Sequence, residues 1–148
     1  MAKHVDGPTC VACAVKLATG CHEIQEWGLK AKERFHDLHF AWVFRGEADQ
    51  QACVKAKLST LNWPNSRHNV MVNGLPSAEA FDAFFLDKGG KAIWPWRRYA
   101  ELSAWLKEEG APLDWGYDLW KKDGPHFQVN RVRADNFGEA PAKLSDLH

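Results

Sequence analysis

Apolar positions along the chain change period several times, and each change marks an expected element. From Cys10 the residues Cys10, Cys13, Leu17, Cys21, Ile24 and Gly28 recur at helical spacing, so one or two helices are expected over 9–35, with Gly20 and Gly28 as possible breaks. "HFAWVFR", residues 39–45, is aromatic and β-branched and reads as a buried strand. After Gly46, "EADQQACVKAK" combines strong helix formers with an acidic first turn that suits the helix dipole. Residues 58–77 carry Ser, Asn, Pro and Gly at turn density and read as mostly loop, whereas "AEAFDAFFL" has the weight of a second strand. "WRRYAELSAWLKEEG" places Tyr99, Leu102, Trp105 and Leu106 on one helical face and stops at Gly110. "LDWGYDLWKKDGPHFQV" reads as two short strands joined by a turn, followed by a polar tail over 131–148. Strands in the middle, helices around them and no regular βαβ alternation predict an α+β fold. The expected form is a small, mostly antiparallel sheet with helices packed on one side.

The chain has 148 residues, a length suited to one domain with its own core. The expected parts are a helical N-terminal segment over about 9–36 and a core over about 38–130. Lys and Arg balance Asp and Glu, and no basic stripe is interleaved with aromatics, which argues against a nucleic-acid partner. No apolar run approaches the roughly 20 residues that span a bilayer, and the N-terminus lacks a clear signal-peptide core. Synthesis in the cytoplasm, no membrane anchor and a monomeric state are the expectations. Eight tryptophans are far more than this length usually carries, which suggests a core filled by rings or a groove lined with them.

Four cysteines, at 10, 13, 21 and 53, admit two readings. Cys10 and Cys13, followed by Cys21-His22, resemble part of a zinc site or a redox pair. A second C-x-x-C is missing, however, and free cysteine packs as a small hydrophobe. A buried helical stripe is the favoured reading. His22, His36 and His39 read as ordinary polar residues, and His148 as a frayed terminus.

The residues with chemical potential are His68 in "NSRHN", Asp82 in "EAFDA", and Asp123 and His126 in "KKDGPHF". Two histidines and one carboxylate make a zinc set that leaves a position for water. Such a metal acidifies the water, and a further carboxylate must take its proton and pass it to the leaving amine. Asp123 can fill that role, because a tight Gly-Pro turn aims it and His126 at one point. The competing reading is that "DG" and "SRHN" are solvated turns.

"SRHN…PSAEAFD" followed by "WGYDLWKKDGPHFQV" resembles the M15 family of zinc peptidases, which includes D-Ala-D-Ala carboxypeptidases and phage L-alanyl-D-glutamate endopeptidases. Ser66, His68, Ala80 and Asp82 fit the fixed points of the first signature, S-x-H-x-x-G-x-A-x-D. Trp115, Gly116, Asp118, Asp123, His126, Phe127 and Gln128 fit the second, which has W-G-x-D and then an acidic residue three before the histidine of H-F-Q. "FRGEADQQ" is similar to a third segment of the Y-R-S-x-x-E-Q type, so the likeness runs from about residue 38 to 129.

The resemblance implies one M15-like peptidase domain with Zn2+ held by His68, Asp82 and His126, and with Asp123 as catalytic base. Arg45 falls where the family has an arginine near the substrate. It could bind a peptide carboxylate or an oxyanion there, or simply be a charge at the end of a surface strand. Ser66, Trp63 and Trp115 are candidate substrate-binding residues, although core packing competes for the rings; Trp120 is weighed likewise, and Trp105 is assigned to the core.

One departure stands out. His68 and Asp82 are fourteen positions apart, a longer interval than the compact signature has, and the intervening "NVMVNGLPSAE" must bulge as a loop. Glu79, the nearest rival ligand, is out of phase with Asp82 on a strand and is expected to face the other way.

The activity implied is hydrolysis of a bacterial peptidoglycan stem peptide, of the phage endolysin type and most simply at L-alanyl-D-glutamate. Such an enzyme would reach the wall with a holin-like protein. The alternatives are a D,D-carboxypeptidase of cell-wall metabolism and a non-catalytic wall-binding relative.

Overall fold

The computed structural model describes residues 2–133; most of the expected polar tail, including His148, lies outside the described residues. The elements in order are α1 (Val11–Leu17), α2 (His22–Arg34), β1 (Leu38–Trp42), α3 (Glu47–Lys55), a 3-10 turn (Arg67–Asn69), β2 (Met71–Val72), β3 (Leu75–Pro76), β4 (Ala80–Leu86), β5 (Ala92–Ile93), α4 (Trp96–Glu108), β6 (Leu113–Trp115), α5 (Gly116–Trp120) and β7 (His126–Val129). The main sheet is antiparallel with strand order β1-β4-β7-β6, and β5 adds to β4 beyond the point where β7 ends. The fold is α+β, as the pattern predicts.

β4 is the axis of the molecule because "AFDAFFL" is apolar on both faces except at one position. Side chains alternate along a strand, so Phe81, Ala83 and Phe85 share one face while Asp82 and Phe84 share the other. The first face meets the helices. Tyr99 of α4 packs edge-on against Phe85 at 5.3 Å and donates its hydroxyl to Ala83 O at 2.7 Å. Phe35, at the end of α2, and Trp105 of α4 meet at 5.7 Å, so both helices lie on this side. Trp105 is half-buried against the core, as assigned from its helical face.

The break between α1 and α2 falls at Gly20, but Gly28 does not end a helix. It lies inside α2 as a notch for Leu17, where an added Cβ would stand 2.4 Å from Leu17 Cδ2. The segment 58–77 is mostly loop, as expected, and within it Asn73 and Gly74, both at positive φ, form the turn of a β2–β3 hairpin. One further expectation is corrected: the connection from β6 to β7 is more than a turn, because α5 occupies it. Five residues are too few to establish a helical period in a sequence.

Candidate active site

The register of the sheet sets the first two site residues side by side. Asp82 of β4 lies directly opposite His126 at the start of β7. His68 reaches the same point from the 3-10 turn, whose N-cap Ser66 accepts from the His68 amide at 3.2 Å. Asn69 closes the cap by accepting from the Ser66 amide at 3.0 Å. The long interval between His68 and Asp82 is absorbed by the hairpin. Ser77 N–H donates to Val70 O at 2.9 Å and Glu79 N–H to Arg67 O at 3.0 Å, so the chain returns to its starting point before β4 begins.

Each imidazole has one nitrogen tied back to the protein and the other aimed at Asp82. His68 Nδ1 lies 2.8 Å from Val43 O, and since a carbonyl only accepts, Nδ1 carries a proton and Nε2 is the nitrogen turned toward Asp82. That Nε2 is buried, has no hydrogen-bond partner among the described residues, and lies 3.3 Å from Asp82 Oδ1. An orphaned buried polar atom of this kind costs roughly 1–3 kcal/mol unless a ligand satisfies it. His126 has Nε2 at 3.0 Å from Gln128 Oε1 and Nδ1 at 3.0 Å from Asp82 Oδ1. On the far side of the carboxylate, Arg45 Nη2 donates to Asp82 Oδ2 at 3.3 Å.

His68 Nε2, Asp82 Oδ1 and His126 Nδ1 therefore converge, all within 4.8 Å of one another. Ligands about 2.05 Å from a tetrahedral zinc would stand about 3.3 Å apart. The two separations to Asp82 Oδ1, 3.3 and 3.0 Å, match that spacing, and these residues can hold a metal ion. The electrostatics agree. Burial opposes the charge on Asp82, but His68 and His126 outweigh it and hold its carboxyl well below the usual range. Burial also disfavours a charged His126, yet the bond to and charge of Asp82, joined by Asp123, raise its pKa.

Asp123 sits beside this cluster on a turn held from three sides. Ala83 N–H of β4 donates to Pro125 O at 2.9 Å, Trp115 Nε1 donates to Gly124 O at 2.7 Å, and Gly116 lies flat against the turn. Asp123 itself has φ +66, a left-handed conformation costing a non-glycine residue roughly 1–2 kcal/mol, as Lys121 does at φ +58. Two such residues in a row of three mark the turn as a shaped one. Desolvation in the cleft raises the Asp123 pKa; His126 opposes this and Asp82 adds to it.

A Cβ on Gly116 would come within 2.6 Å of Asp123 O and 3.1 Å of His126 Cβ. Gly116→Ala is therefore expected to displace the turn, to destabilise the fold by about 1–3 kcal/mol and to lower any hydrolytic activity more than stability alone explains. Denaturant unfolding and turnover measured side by side check this.

The cluster lies in a cleft of about 850 Å³ lined by Ser66, Leu61, Trp120, Lys122 and Gln128 among others, a size suited to a small ligand or peptide. Among the described residues five Lys or Arg line it against two Asp, a balance that favours an anionic ligand. Not every sequence-predicted residue faces it. Trp115 is buried at 7% exposure and stacks on Phe127, so its part is to hold the Asp123 turn, and the substrate-binding expectation is corrected. Trp63 packs against Phe44 and Met71 and is not among the lining residues, whereas Trp120 is.

Arg45 is buried at 5% exposure, which overturns the surface-charge reading. Its terminal nitrogens bond Asp82 and Gln50, and its guanidinium lies over Trp42 at 4.8 Å, so it acts on the site by fixing Asp82. Glu79 faces away, as its phase predicts, and pairs with Arg67 and Arg131. Asp118 binds Lys107 at the surface at 2.6 Å.

Two contributors carried no assigned role in the sequence reading. Gln128 orients His126. Gln50 accepts from Arg45 Nη1 at 3.0 Å and from Asn69 Nδ2 at 3.1 Å, bridging the two arms of the site. Their signal was the period of two from His126 to Gln128 and, for Gln50, the "EADQQ" segment itself.

No family model and no curated protein matches the chain. Among solved structures it is similar to the crystal structure of Serratia marcescens L-Ala D-Glu endopeptidase ChiX, at 26% identity, with 80% of this chain and 86% of that chain covered and a TM-score of 0.57. Over that span the two chains share a fold.

Proposed function

We propose that this protein is a zinc-dependent peptidoglycan endopeptidase that cuts the stem peptide at the L-alanyl-D-glutamate bond. The observation that carries the reading is the convergence of His68 Nε2, Asp82 Oδ1 and His126 Nδ1 in a cleft that Asp123 also lines. The similarity to an L-Ala D-Glu endopeptidase supports the choice of substrate, and the cationic cleft suits the carboxylates of a stem peptide.

His68, Asp82 and His126 would hold the metal, which when bound would supply Lewis acidity to a carbonyl and to water. The chain's own residues do the rest. Asp123 accepts the proton of the attacking water and returns it to the leaving amine, a role for which a raised carboxyl pKa is suited. Val43 O and Gln128 hold the imidazoles in ligand orientation, and Arg45 holds the carboxylate between them.

No helix among the described residues is long and apolar enough to cross a membrane. A phage endolysin that reaches the wall through a lesion made by a holin-like protein is the biological setting this reading supports.

The test is release of new amino groups from purified sacculi, alongside the zinc content of the same preparation. Stoichiometric zinc with amino-group release is expected; zinc-loaded protein that binds sacculi and releases none would make it a wall-binding relative instead.

A further inference from the structure

A second set of side chains able to hold a metal ion lies outside the cleft, drawn from the helical cysteine stripe, the strand histidine His39 and His4 near the N-terminus. His4, Cys10, Cys13 and His39 bring one donor atom each within 4.8 Å of all the others. Three separations are defined: His4 Nδ1 to Cys10 Sγ 3.8 Å, His4 Nδ1 to Cys13 Sγ 3.4 Å and Cys13 Sγ to His39 Nδ1 3.3 Å. Zinc bonds of about 2.3 Å to sulfur and 2.05 Å to nitrogen at the tetrahedral angle give a sulfur–nitrogen edge of about 3.6 Å. The three values bracket that edge.

We propose that His4, Cys10, Cys13 and His39 form a closed, tetrahedral, structural zinc site that clasps the N-terminal segment and α1 to the edge strand β1.

The surroundings are those of a ligand set rather than of packed cysteines. His39 is fully buried, and its other nitrogen, Nε2, lies 2.8 Å from Asp6 Oδ1, the carboxylate–histidine pairing that fixes a metal-ligating imidazole. Val5 N–H donates to Cys10 Sγ at 3.5 Å, as backbone amides do around thiolates.

Charge closes as well. Two thiolates offset the dication, and Asp6 is matched by Lys32, which is buried at 2% exposure and acts electrostatically on both sulfurs. Two thiolates and two imidazoles select zinc among the abundant divalent ions, and four protein donors leave no position for substrate.

Position in the fold gives the site its role. β1 is the edge of the sheet, and His39 stands opposite Phe84 on β4, two residues along the same face from Asp82. The chain leaving β1 supplies Val43 O to His68 and then Arg45 to Asp82. The clasp therefore anchors the strand whose continuation orients the catalytic cluster. It does not rest on the peptidase reading.

Cobalt(II) titration of the metal-free full-length chain tests it, because only a thiolate-containing site gives an intense near-ultraviolet sulfur-to-cobalt band. That band is expected to saturate at one equivalent and to persist in His126→Ala, which separates it from any failure of the cleft site. Cys10→Ser/Cys13→Ser should lose the band. Asp6→Asn, which keeps every ligand, should weaken cobalt binding at the band by roughly 10–100-fold. Absence of the band in the reduced native chain overturns the proposal, as does purification of the chain with a Cys10–Cys13 disulfide and no metal there.

Discussion

Asp123→Ala is expected to bind zinc like the native chain and to lose peptidoglycan hydrolysis by about 10²–10⁴-fold, the usual contribution of a positioned acid–base group. The separation of the two effects follows from where Asp123 sits. It is not one of the three converging donors, and the contacts that hold its turn, from Ala83, Trp115 and Gly116, run through backbone carbonyls and surfaces rather than through its carboxylate. Removing the carboxylate therefore leaves the turn and the metal cluster in place. Replacing a residue at φ +66 by alanine keeps a side chain in the left-handed region, so Asp123→Asn serves as the control that better tolerates that conformation. Both variants should retain zinc by elemental analysis. Full activity in either would remove Asp123 from the mechanism.

His126→Ala is expected to lose most of the cleft metal and, with it, activity. Its imidazole is buried between Asp82 and Gln128 and is one of the three converging donors, so its removal leaves His68 and Asp82 alone. The loss of affinity should exceed the roughly 10–100-fold that follows removal of a residue merely hydrogen-bonded to a ligand. Asp82 also loses one of the two imidazoles that stabilise its charge, which leaves a carboxylate held by His68 and Arg45 alone. Zinc measured per chain, with the Cys10–Cys13 cluster counted separately by its cobalt band, distinguishes the cleft equivalent. Undiminished metal in the cleft would exclude His126 as a ligand.

The parts of this site that were legible in the sequence are those fixed by short-range geometry. Asp123 and His126 lie on one tight turn, and Asp82 lies on a strand whose period of two sends Glu79 the other way, so their relative directions follow from local rules. The placement of His68 was harder, because a long interval can end anywhere. The Asn73-Gly74 turn resolved it by folding the extra residues into a hairpin that returns the chain to β4.

What could not be read is what depends on long-range partners. Arg45 looks like a strand-end charge until β4 brings Asp82 beside it, and Trp115 looks like a groove wall until the Gly124 carbonyl claims its indole. His39 illustrates the same limit. Alone it is an unremarkable histidine in an aromatic strand, and only the pairing of β1 with α1 and the N-terminal segment gives it Cys13 and Asp6 as neighbours. The cysteines are buried, as the helical stripe predicts, and Cys13 is at the same time one of four converging donor residues, so packing does not exclude ligation.

The central claim is that the cleft hydrolyses a stem peptide at one bond, and the masses of the muropeptides released from purified sacculi test it most directly. Products ending in a new D-glutamate amino terminus, formed by the native chain and abolished in Asp123→Ala, are the predicted result. Release of free D-alanine with the L-alanyl-D-glutamate bond intact, or no change in the muropeptide masses, would contradict it.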